Sequence, residues 1–254
     1  MELLKTVKRR TFWSEVVYYG LNIGLAAVLL LIAQTIRSPY PALALVLISK
    51  WRVIAVRPRF WWANIQANLV DIIVGLGVVG LMYSVHVGAL PQAILAAFYA
   101  VWLVIIKPMS RRWQVTLQSG LAIFIGVTSL MTVSYEWPLF VVVLLMSLIG
   151  YSAARHVFYS YDEEKIVLLS AVLGIVFAEF GWMAYFWNRS HSGAVAGGVP
   201  QVAIILLLVS FAAEAVYRSW RKHQKVLFVE VSGPLFLMIA ITLTMLLFFN
   251  SITI

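Results

Sequence analysis

Between Glu15 and Asn250 the chain is a succession of apolar runs, most of them about twenty residues long, joined by short connections that hold nearly all of its charge. A helix of that length matches the roughly 30 Å of bilayer hydrocarbon, and a backbone inside hydrocarbon must satisfy its own hydrogen bonds. The runs are therefore expected to be membrane-crossing helices. Composition closes the alternative: 63% of the 254 residues are hydrophobic and 11% are charged, whereas soluble domains carry about 25% charged residues. There is too little charge to hydrate the surface of a water-soluble fold. The expected fold class is all-α, a single polytopic transmembrane helical bundle over residues 1–254 that begins with a basic cytoplasmic segment over residues 1–14. The first apolar run exceeds twenty residues and has no small-residue cleavage site, so it reads as an uncleaved anchor.

Nine spans are predicted: 15–36, 39–49, 64–84, 90–106, 113–133, 138–154, 166–187, 200–217 and 231–250. The second is short, because Lys50, Trp51 and Arg52 interrupt it, and it could cross or enter and leave on one face. Charge placement favours a crossing. With nine spans and the N-terminus inside, 17 of the 19 Lys and Arg residues fall on the cytoplasmic side, and only Arg37 and Arg189 fall outside. Removing the second crossing would put the clusters at Lys107 to Arg112 and Arg218 to Lys225 outside. The expected layout is N-in and C-out in a cytoplasmic (plasma) membrane, with anionic headgroups as the partners of the basic face and no nucleic acid. Trp13, Trp51, Trp61, Trp62, Trp113, Trp137 and Trp187 lie near span ends, as an interfacial belt does.

Several chemistries are excluded by residue type and position. The chain has no cysteine, so disulfides, thiolate metal sites and cysteine nucleophiles are impossible. No lysine lies in the middle of a predicted span, which removes a retinal Schiff base. His86, His156, His191 and His223 stand at or beyond the predicted span ends with no ligand-like spacing, which argues against a metal or serine hydrolase and against any metal or cofactor. The first exterior connection is too short and has no acid for lipid-linked glycosyl transfer. Lys50 to Pro58 matches the first block of the lipid-phosphatase pattern, a lysine separated by six residues from Arg-Pro, but the later blocks with Ser, His and Asp are missing. Lys50, Arg57 and Arg155 remain as candidate headgroup-binding cations, and catalysis is not the favoured reading.

Acids inside spans carry more information, since an ionisable residue in hydrocarbon costs about 2.5–3.5 kcal/mol on insertion scales. Asn64, Asn68, Asp71 and Gly75 share one helix face at spacings of four, three and four. This stripe is expected to be either a cation or proton site or a hydrogen-bonded seam in which Asp71 captures a Lys or Arg from a neighbouring cytoplasmic loop. Glu179 is the deepest acid. Val172, Ile175, Val176, Met183 and Phe186 at helical spacing around it are apolar, so another helix must partner it or it must stay neutral. Glu214 and Arg218 are spaced for an ion pair, Glu230 for a helix N-terminus, and Ser160 to Glu163 for a capping box. Gln114, Gln118, Gly120 and Gly126 are expected to pack against the face from Asn64 to Gly80.

The stretch Ile149 to His156, with Tyr161 to Glu164 and then Glu179 to Tyr185, resembles polytopic membrane proteins of genome-reduced bacteria to which no activity is attached. The resemblance implies a bacterial inner membrane and nothing about mechanism. From the residues, three functions are expected in order: a small transporter or carrier using the buried carboxylates Asp71 and Glu179 with Asn64 and Asn68; a non-catalytic scaffold or assembly factor with a membrane-protein partner or a second copy; and a lipid-headgroup-modifying enzyme.

Overall fold

A computed structural model describes residues 12–84, 88–190, 195–196 and 199–248. Most of the basic segment at 1–14, together with His86 and His191, lies outside the described residues. The fold is an all-α bundle. Among the described residues, eight helices are long and apolar enough to cross a membrane: α1 (Phe12–Thr35), α4 (Trp61–Met82), α5 (Ala89–Val101, continued by a π turn at Trp102–Ile106), α6 (Arg112–Val133), α7 (Leu139–Tyr159), α8 (Ile166–Ser190), α9 (Gln201–His223) and α10 (Phe228–Phe248). Two shorter helices, α2 (Tyr40–Ser49) and α3 (Trp51–Ile54), connect α1 to α4. This is a multi-pass membrane protein.

The α2–α3 segment crosses the bundle. α4 and α5 are antiparallel, because Gln92 bonds the Met82 carbonyl while Trp102 reaches Asp71. Near the start of α1 the Tyr18 hydroxyl donates to the Leu103 carbonyl at the end of α5, 3.0 Å away. The starts of α1 and α4 therefore share one end of the bundle, and the chain between them must travel back. It does so as two helical pieces. Together Tyr40 to Ile54 give about 22 Å at 1.5 Å per residue, and α2 passes Gly75 before the chain reaches Asp71 at Lys50.

Small residues set the remaining contacts. α4 and α6 run parallel, with Gly77 against Ile125 and Gly80 against Ser129, and Gly126 of α6 receives Ile73 of α4. α7 and α8 pack antiparallel along Gly150, Gly174 and Gly181, which receive Phe177, Ser147 and Met146. Dispersion and close backbone approach hold helices together in lipid, and the absence of a side chain at these sites allows both. Gly126 thus meets α4 as expected. Gly120 does not: it faces Phe211 of α9.

Helix ends correct other expectations. α4 begins at Trp61, three residues before the predicted start, and α9 runs to His223, so Arg218, Arg221 and Lys222 lie on its last turns. Ser160 donates to the Val157 carbonyl and closes α7, so it does not cap α8, and Asp162 turns the chain with φ 51°. At the start of α6 the Gln114 side chain accepts from the Arg111 amide at 3.0 Å, one half of a capping box, and the Arg111 guanidinium has no acceptor to supply the other half. The glycine-rich connection between α8 and α9 is shorter than read from sequence, because α8 continues to Ser190; Val195–Ala196 pairs antiparallel with Val199–Pro200, and the rest of that connection is outside the described residues. All seven belt tryptophans are exposed near helix ends.

Candidate intramembrane ion-pair site

Asp71 is the eleventh of the 22 residues of α4, roughly 15 Å from either end, and it is 6% exposed. Its Oδ2 accepts from Lys50 Nζ at 2.5 Å and from Lys107 Nζ at 2.6 Å, and its Oδ1 accepts from Trp102 Nε1 at 3.0 Å. A carboxylate is thus held by two ammonium groups and an indole, and the three ionised side chains, Asp71, Lys50 and Lys107, carry a net charge of +1. Nothing regular in the backbone would bring these donors together. Two interruptions do.

The first is at Lys50. The Ser49 hydroxyl donates back to the Val46 carbonyl at 2.6 Å, taking the acceptor that the Lys50 amide would use in a continuous α-helix. The Lys50 amide bonds the Leu47 carbonyl instead, and Lys50 leaves the helical region at φ −92°, ψ 15°. The helix breaks there, and the side chain turns toward α4. The second interruption is the π turn. In an α-helix, residues five apart point about 140° away from each other. Here the Lys107 amide bonds the Trp102 carbonyl, so one turn closes over five residues and both side chains meet Asp71. Pro108 has no amide to continue that pattern onto Leu103, and the Tyr18 hydroxyl takes the free carbonyl.

Gly75, one turn above Asp71, permits the closure. A Cβ at that position would lie 2.8 Å from Val46 Cγ1 and 2.9 Å from the Tyr99 hydroxyl. That hydroxyl is fully buried and has no hydrogen-bond partner among the described residues. The two lysines differ in access, with the Lys50 side chain 9% exposed and that of Lys107 37%.

Gln118 anchors the far side of the π turn, and it does not face α4 as the sequence suggested. Its Nε2 donates to the carbonyls of Ile106 at 2.6 Å and Met109 at 3.0 Å. Its Oε1 meets His156 Nε2 at 2.8 Å, which assigns the proton to that ring nitrogen. His156 lies within α7, one turn from its end, because α7 continues past the predicted boundary. Gln114 turns back to the Arg111 amide and also stays off α4.

The other sequence candidates separate. Asn68 donates to the Asn64 carbonyl on its own helix, so both lie on the α4 stripe without bonding Asp71. Glu179 stands on the exposed side of α8, with no hydrogen bond or ion pair among the described residues. Lys50 is engaged by Asp71, Arg57 is exposed at the turn before Pro58, and Arg155 sits on α7. These three cations thus occupy three separate elements, and His156 is turned to Gln118. Glu214 pairs with Arg218 at 3.7 Å and also accepts from the Tyr161 hydroxyl at 2.6 Å, while Glu230 pairs with Lys222 and His223 of α9. Glu163, in the α7–α8 connection, accepts from Tyr217 and pairs with Arg221. The Tyr217 hydrogen bond holds its carboxyl below the usual glutamate range, and burial pushes the Tyr161 phenol up.

Trp102 and Tyr99 are the members of the site that sequence reasoning missed, whereas the capture of a basic residue from a neighbouring connection by Asp71, one of the two readings of its stripe, is what Lys50 and Lys107 do. Trp102 carried a usable signal, since it lies away from the span ends and a buried indole N–H seeks an acceptor. A mainly apolar cavity of about 200 Å³ lies between α6, α7, α8 and α9, with Glu214 and Tyr217 on its wall; neither Asp71 nor Glu179 lines it. Among the described residues no three His, Asp or Glu side chains are placed to hold a metal ion. No protein-family model, curated protein or solved structure matches the chain.

Proposed function

We propose that the chain is a small carrier of a bacterial cytoplasmic membrane, with its basic end inside, and that the Asp71 cluster is its coupling site. The observation that carries this reading is one carboxylate in the middle of α4 shared by two lysines, each delivered by an interrupted helix. Irregular backbone at membrane depth is kept where it serves a binding site, and discontinuous helices recur in transporters for that reason. Static helix adhesion would need only one lysine. The second leaves an excess positive charge, which opposes a metal cation and favours a small anion or a proton released from an ammonium group.

Lys107 is the moving part in this reading, because it is the more exposed of the two and ends a flexible four-carbon stem. An anion approaching from the basic end takes the place of Asp71 as its partner, and the unpartnered Tyr99 hydroxyl offers a neutral donor beside it. Lys50 and Trp102 keep Asp71 compensated meanwhile. The breaks at Lys50 and at the π turn supply the hinges for opening toward the other side.

Reconstituted vesicles test this with labelled phosphate, chloride and acetate and with an entrapped pH dye. Wild type is expected to move one of the anions or protons above empty vesicles. Lys107→Met is expected to lose that flux while keeping its unfolding midpoint, because Lys50 still neutralises Asp71. Equal flux in the two proteins, or none in either, overturns the proposal. A non-catalytic assembly factor is the second reading, favoured by the exposed face of α8; it uses a different surface and is compatible with the first. The dispersal of Lys50, Arg57, Arg155 and His156 gives the headgroup-modifying enzyme no comparable support.

A further inference from the structure

The inner face of α8 is formed by Ser170, Gly174, Phe177, Gly181 and Ala184, all buried, and most of it packs on α7. The opposite face carries Val172, Ile175, Glu179, Trp182 and Phe186, all exposed, at spacings of three, four, three and four. Glu179 is the centre of that stripe. It lies thirteen residues from Ile166 and eight from Trp187, or roughly 20 Å and 12 Å along the helix, too far for a glutamate side chain to reach either headgroup layer. On the isolated chain its carboxyl faces acyl chains with no donor beside it. Ionisable groups in such positions pair with one another or with a neighbouring chain.

We propose that this face docks a transmembrane helix of a second protein carrying a lysine or arginine near its middle, with Glu179 as the ion-pair partner. Charge complementarity fixes the class of occupant. A second copy of this chain is a poor match. A two-fold contact through α8 sets Glu179 against Glu179, and Lys50 and Lys107, the lysines that reach Asp71 from the ends of α2 and of the π turn, are already held by that carboxylate. The apolar residues above and below Glu179 fit the flanks of an ordinary span. The close packing of α7 on α8 makes the platform rigid, so little ordering is needed on binding. The surface is independent of the Asp71 site.

The test uses the full chain, labelled with a fluorescent donor in phosphatidylcholine vesicles, and synthetic leucine–alanine transmembrane peptides with a central lysine or a central leucine, labelled with an acceptor. The lysine peptide is expected to associate at about tenfold lower density than the leucine peptide. Glu179→Gln should bring it down to the leucine level while the thermal midpoint of the chain stays that of wild type. Equal association of the two peptides with wild type overturns the proposal, and so does lysine-peptide binding that Glu179→Gln leaves intact. Energy transfer between two labelled copies that Glu179→Gln abolishes assigns the face to a homodimer and also overturns it.

Discussion

Asp71 and Glu179 are both carboxylates set in the apolar middle of a span, and the bundle treats them in opposite ways. Asp71 is enclosed by three donors from two other segments, and both of those segments break their regular helix to deliver them. Glu179 sits on a continuous helix with its carboxyl facing outward. The difference shows that an acid in an apolar run records a cost and leaves open how the cost is met. At Asp71 the chain meets it internally and distorts its backbone to do so. At Glu179 the compensation must come from outside.

The largest expected effect sharpens this contrast. Asp71→Asn leaves the nearly buried Lys50 ammonium, and the more exposed one of Lys107, without a counter-charge, and should lower the unfolding free energy in detergent by about 3 kcal/mol, as read by denaturant titration. Glu179→Gln should stay within about 0.5 kcal/mol in the same assay, since it removes no hydrogen bond or ion pair among the described residues. A comparable loss at both positions would erase the distinction. Next in size is Gly75→Ala, which drives a methyl group into Val46 and Tyr99 and should cost about 1–3 kcal/mol. The same change at Gly20 or Gly24, where no described residue beyond the local helix backbone would come within 4 Å of the added methyl group, should be neutral or stabilising in the isolated protein. Trp102→Phe leaves Asp71 Oδ1 without its donor and should cost about 1–3 kcal/mol, with quenching of a buried indole signal as a second check.

The smallest effect lies outside the spans. Tyr217 lowers the folded-state pKa of Glu163 below its ordinary value of 4.5. A carboxyl shifted down contributes stability that is complete above the ordinary value and is lost as pH falls through the folded one. The thermal midpoint should therefore fall with acidification below about pH 4.5, and Tyr217→Phe should flatten that part of the curve. An unchanged slope in the variant would show that other carboxyls control it.

Apolar run length and the bias of Lys and Arg to one end were enough to set the membrane class, the long spans and their alternation. Each is a local sum: hydrocarbon accepts a segment by its own twenty residues, and a basic connection is retained on its own charge. Even the doubtful second crossing followed from charge, although its break at Lys50 did not. Only the tertiary structure decided which acid is buried and by whom, because Asp71 lies 21, 31 and 36 residues from Lys50, Trp102 and Lys107. Those distances close through a hydroxyl that bends one helix, a five-residue turn that rotates another, and a glycine that lets both approach. Pairing free energy depends on such three-dimensional coincidence, whereas insertion depends on the chain segment alone.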